Sequence, residues 1–159
     1  MLIVMEGLVL CFFLLLTCVV GTANGPAGLV VLYEPDVQER AIALGYTTRK
    51  KLRKSLWVTA AALYVPVLVF LPAMVYTLND VHGFWDGVWQ MTLAMWIMGL
   101  FDRLFIDWYW VERTKAWIIP GAEDLRPYIP RKMRLLKWFA TIVGFPLMAA
   151  AVAGIMTLL

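Results

Sequence analysis

The sequence offers one histidine and two cysteines among its 159 residues. A lone histidine excludes multi-histidine metal or haem ligation within one chain. Cys11 and Cys18 would stand roughly 10 Å apart along a helix. That is too far for a disulfide, so both read as packing residues. There is no P-loop, no Gly-x-Ser-x-Gly, no HExxH and no Rossmann glycine set. No cofactor and no metal is therefore expected, and redox and metalloprotease chemistry are poor fits. Charge is scarce too, at 16% of residues, and no lysine or arginine precedes Arg40.

What fills the chain is hydrocarbon. It is 62% hydrophobic with a mean hydropathy of +0.76, against ~45–50% apolar residues in soluble domains. Lipid can cover that much apolar surface where water cannot. The net charge of +3 and pI near 9.0 do not point to nucleic acid, because of where the charges fall. All fourteen basic residues lie in two groups, within residues 40–54 and 103–137. Both groups sit between apolar runs, the positive-inside pattern. The expected partners are membrane lipids, through anionic headgroups on the cytoplasmic face.

The chain is organised around residues 84–120. An apolar helix there continues, with no glycine or proline break, into a charged and tryptophan-rich extension. Its apolar part, residues 84–101, rises roughly 27 Å, enough for the hydrocarbon core. The expected fold is all-α: a single integral-membrane four-helix bundle with spans at about 1–33, 55–78, 84–107 and 137–159. The first span is interrupted at Asn24-Gly25-Pro26. A cleaved signal peptide competes with it, since Gly21 and Ala23 resemble a cleavage site. Glu6, the lack of amino-terminal basic residues and the apolar run up to Tyr33 favour a retained helix. A short amphipathic helix, residues 36–44, follows the first span and is expected to lie on the membrane face. Gly45 stops it, and Thr47 or Thr48 caps the next helix. The third span carries a cytoplasmic extension. The layout implies a bacterial plasma-membrane protein with both termini outside the cytoplasm. Tryptophans mark the interfaces, except Trp96, which falls mid-membrane.

Three polar groups are candidate sites. The first is Asp102, Arg103 and Asp107, with Glu112 and Arg113 further along. Arg103 and Asp107 share a helix face and can pair. Asp102 would point about 140° away from Asp107, so the carboxylates need a basic partner or a cation from another helix to make a joint site. The second is His82, Asp86 and Gln90, which share a face if the helix begins at Val81. A titrating histidine beside a carboxylate would suit a proton entry port, and Gln90 suits a hydrogen bond to a neighbouring helix. The third is the linker, where Glu123, Asp124 and Arg126 are placed either to bind a soluble partner or to form a solvated turn. Gly83 and Gly87, Gly21 and Gly25, and Ala149 to Gly154 offer close-packing faces. These faces suit internal contacts, a homo-oligomer or a partner membrane subunit.

The expected function is a non-enzymatic membrane protein whose inner-face cluster engages lipid headgroups or a partner subunit. The alternatives are a transporter or channel subunit, and a membrane-embedded enzyme acting on a lipid or isoprenoid headgroup. In the last, Asp102 and Asp107 would act as acid and base, or as cation ligands.

Overall fold

The computed structural model describes residues 2–158, and among these the secondary structure is helical with no strand. The first helix, α1 (Leu2–Thr22), buries Glu6, Gly7, Leu10, Cys11, Leu14 and Cys18, the three- and four-residue spacing of one helix face. It ends where Gly25 takes a φ of +109°, a conformation open to glycine and costly for other residues. A 3₁₀ segment, Pro26–Leu32, then folds back onto the helix end. Gly28 sits so close that a Cβ there would lie 1.9 Å from the Gly21 carbonyl oxygen. The helix here that is long and apolar enough to cross a membrane is α1, Leu2–Thr22; residues 26–32, the second part of the interrupted 1–33 stretch, pack against its end.

Next comes α2 (Pro35–Ala43), with Val37 and Ala41 buried. These join a core with Trp117, Ile119 and Ala122. Val37 and Ala41 are thus turned toward the linker before the last rod, while Ala43 and Leu44 at the end of the helix stay exposed. Two long rods flank the organising one. The rod Arg49–Thr77 comprises α3 (Arg49–Val65), a wide π turn at Pro66–Phe70 and α4 (Leu71–Thr77). Thr48 caps it by accepting from the Lys51 amide at 3.3 Å. The rod Arg131–Met156 comprises α6 (Arg131–Phe139), a π turn at Ala140–Gly144 and α7 (Phe145–Met156). Between them in sequence, α5 (Phe84–Phe101) continues as a π-helical segment, Asp102–Val111. α5 is central, and its most extensive contacts are with α1 and α7.

Two of the π turns have a proline cause. Each ends just before a proline, Pro72 or Pro146, which lacks an N–H and clashes with the carbonyl four residues back. In the last rod the Phe145 amide bonds back to the Ala140 carbonyl, an i→i+5 register. The next carbonyl, Thr141, would need the absent N–H of Pro146. Trp96 supplies it, donating from Nε1 to the Thr141 oxygen at 2.9 Å. This gives a structural role to Trp96, the one tryptophan expected mid-membrane.

Three helices are long and apolar enough to cross a membrane: Leu2–Thr22, Arg49–Thr77 and Arg131–Met156. The central rod, residues 84–111, is not among them, because Asp86, Gln90 and its tryptophans dilute its apolar run. Large apolar side chains such as Phe12, Trp57, Val69, Phe139 and Leu147 are exposed around the molecule. An apolar surface of that kind suits contact with lipid. Inside, one core packs Leu10, Leu71, Val75, Met91, Met95 and Ala153 between the rods. A second lies at the charged end and includes Tyr33, Ile106, Trp117, Ile119, Tyr128 and Ile129. The linker is therefore a folded cap with its own buried residues.

Candidate functional site

The charged network forms where the central rod changes pitch. In a straight α-helix Asp102 and Asp107 would diverge. In the π-helical segment hydrogen bonds close five residues apart, so positions i and i+5 come to one side. Arg103 bridges both carboxylates, pairing with Asp102 through Nη2 and with Asp107 through Nη1. The second cation comes from α6. Lys137 Nζ lies 2.9 Å from Asp107 Oδ1 and 3.0 Å from Oδ2. The Arg103 side chain is 9% exposed, Asp107 11% and Lys137 32%. Two carboxylates and two cations thus cancel in a largely buried network. Such pairing is what allows charges to be carried out of water.

The other two members of the predicted cluster take other partners, although Glu112 lines a space of about 200 Å³ together with Arg103, Asp107 and Arg134. Glu112 pairs with Arg134 of α6. Arg113 stacks over the Trp108 ring at 4.0 Å, a cation–π contact. Lys137 and Arg134 were not singled out from the sequence as site residues. Their basic spacing at the start of the last rod was visible, but nothing local says which carboxylate each meets.

A cavity of about 310 Å³ adjoins the network. Asp102, Arg103, Asp107 and Lys137 form one part of its wall, and Leu14, Ile106 and other apolar side chains form the rest. Three donors in this wall have no hydrogen-bond partner among the described residues: Arg103 Nε, Tyr33 Oη and Trp117 Nε1. Tyr33 and Trp117 are almost fully buried. Burial pushes the Tyr33 hydroxyl well above its ordinary pKa, so it remains protonated and able to donate. Unpaired buried donors cost about 1–3 kcal/mol each, and an acceptor-rich group would relieve that cost. The carboxylates, by contrast, are already engaged by Arg103 and Lys137.

At the opposite end the predicted trio does not assemble. The helix begins at Phe84, not Val81, so His82 precedes it and does not share a helical face with Asp86. His82 is exposed and lies 3.1 Å from Asp80, and Asp86 is exposed in the first turn. Gln90 is the member that points to a buried partner. Asn79 donates from Nδ2 to Gln90 Oε1 at 2.7 Å and to Glu6 Oε1 at 2.9 Å. Glu6 is buried, and its Oε2 and the Asn79 Oδ1 lack partners among the described residues. A single carboxylate in a long apolar run was itself the signal that it needs a partner.

In the linker, Asp124 accepts from both terminal nitrogens of Arg40 at 3.2 Å. Glu123 accepts from the Gly121 amide at 2.8 Å, and Arg126 donates to the Glu112 carbonyl at 2.9 Å. These three residues staple the cap to itself, to α2 and to the end of the central rod. All three are exposed, so the turn is at once solvated and stapled. Comparison with protein-family models, curated proteins and solved structures found no match to this chain.

Proposed function

We propose that the chain is a four-crossing integral membrane protein whose inner-face network binds the headgroup of a membrane lipid without catalysing a reaction on it. The central rod serves as the fourth crossing, sheltered by α1, α4 and α7. The basic groups lie in the cytoplasm, and both termini lie outside. The supporting observation is the self-neutralised network of Asp102, Arg103, Asp107 and Lys137 on the wall of a cavity. A neutral network with spare donors favours a polar or anionic headgroup over a free metal cation. Catalysis draws less support, because both carboxylates are held by cations and no nucleophile is paired with a base at the cavity.

Transport is the second reading, motivated by the buried Glu6–Asn79–Gln90 group at the far end. Between the two polar ends lie Leu10, Met91, Ala94 and Met95, all packed and buried. A path within one chain would have to open that core, so transport would require an oligomer.

Lipid retention tests the leading reading. Extracting the protein in mild detergent and weighing it intact should reveal retained phospholipid. Removing two of the spare donors with Tyr33→Phe and Trp117→Phe should reduce that retention roughly tenfold, for the loss of two hydrogen bonds to the headgroup. Unchanged retention in a folded variant would refute the headgroup role.

A further inference from the structure

We infer that the lipid enters sideways, along a groove between α1 and the rod Arg49–Thr77, and that it is an anionic phospholipid with one acyl chain seated there. This rests on the headgroup role proposed above and adds the route and the lipid class. Along this route lie three spaces, each sharing lining side chains with the next. The one deepest in the apolar zone, about 460 Å³, is lined by Phe13, Leu16, Val20, Ala61, Val65 and Phe70 among others, with no charged residue. Phe13 and Phe70 stack there at 5.9 Å. The middle space, about 350 Å³, adds Lys51, Lys54 and Ser55. It shares Val20 and Ala62 with the first space, and Leu29 and Thr59 with the network cavity. Thr17 lines all three, and its hydroxyl is satisfied within its own helix by the Phe13 carbonyl at 2.8 Å. Each space falls in the ~300–1,000 Å³ range of small-molecule sites.

The order along this track matches a phospholipid: hydrocarbon first, then cations, then spare donors. The ion pairs among the described residues use other cations, leaving Lys51 and Lys54 unpaired at the groove. Lysines at this depth reach anionic headgroups while their stems cover apolar surface. The occupant is therefore a lipid of the surrounding leaflet.

The test uses the full chain in nanodiscs of phosphatidylcholine and phosphatidylglycerol at three to one, released and weighed intact with its bound lipid. The wild type should retain phosphatidylglycerol in preference to phosphatidylcholine by roughly tenfold. Ala62→Trp, which fills the groove where two spaces meet, should abolish retention of both. If that variant does not fold, Val20→Trp fills the same groove from an exposed position on α1. Lys51→Gln with Lys54→Gln should leave lipid bound but erase the preference for phosphatidylglycerol. Wild-type retention in the groove-filling variant would overturn the lateral route, and an unaltered preference in the lysine variant would overturn the lipid class. Failure of the groove variants to matter while the Tyr33→Phe, Trp117→Phe variant loses lipid would leave the headgroup role standing without this route. The reverse pattern would leave the groove without the headgroup role.

Discussion

Asp107 is the residue on which most of the inner network converges. It takes Arg103 from its own helix and Lys137 from α6, so it links two rods by charge. Removing one partner of a buried ion pair strands the other, at a cost of about 3–5 kcal/mol, whereas replacing both together costs far less. Asp107→Ala should therefore lower stability by about 3 kcal/mol, at the low end because Lys137 is a third exposed. Adding Lys137→Met should recover most of that loss, since Asp102 and Arg103 still balance each other. Denaturant unfolding of the two single variants and the double variant in detergent measures the coupling, and strictly additive losses would show that the pair does not interact. Asp102, Arg103 and Asp107 were legible in the sequence as ionisable groups next to an apolar run. Their joint geometry was not. A turn of 100° per residue separates the two carboxylates, and the wider π register that unites them has no proline or other local marker in residues 102–111. Lys137 was hidden for a different reason: pairing across thirty residues is set by tertiary packing.

At the level of elements, the last rod meets the central one through a close approach at Gly99. A Cβ there would lie 2.7 Å from Thr141 Cγ2 and 2.8 Å from Phe145 Cε2. Gly144, in the same π turn, would place its Cβ 3.7 Å from Ala140 Cβ, an ordinary contact. Gly99→Val should thus separate the rods and cost about 1–3 kcal/mol by overpacking. Gly144→Ala should change stability little. Thermal unfolding of both variants in detergent checks this, and equal effects would mean that the rods are not held at Gly99. The long rods were largely legible, because apolar runs and capping residues such as Thr48 are local features. The cap was not. Three prolines and Gly121 in residues 120–130 disguise a stretch that buries Tyr128 and Ile129, and a single helical period cannot describe a fold built from 3₁₀ turns. The break after α1 was visible at Asn24-Gly25-Pro26, but its consequence, a chain folded back on Gly21, depends on packing.

For the whole molecule, segregated charge is the organising fact. The two basic groups, remote in sequence, meet at one end of the fold: Arg40 holds Asp124 of the cap, and Arg134 and Lys137 hold Glu112 and Asp107 of the central rod. The other end carries Glu6, Asn79 and Gln90, and a dry core separates the two. Three helices are long and apolar enough to cross a membrane. The central rod, less apolar, depends on its neighbours for cover, and that is why the proposed site lies on it. An account in which this site holds a lipid headgroup makes one prediction that can be seen directly. A density map of the protein in phosphatidylglycerol-containing nanodiscs should show a headgroup beside Arg103 and Trp117, continuous with an acyl chain between α1 and α3. A well-resolved cavity whose walls close onto one another, with ordered lipid confined to the outer surface, would contradict it.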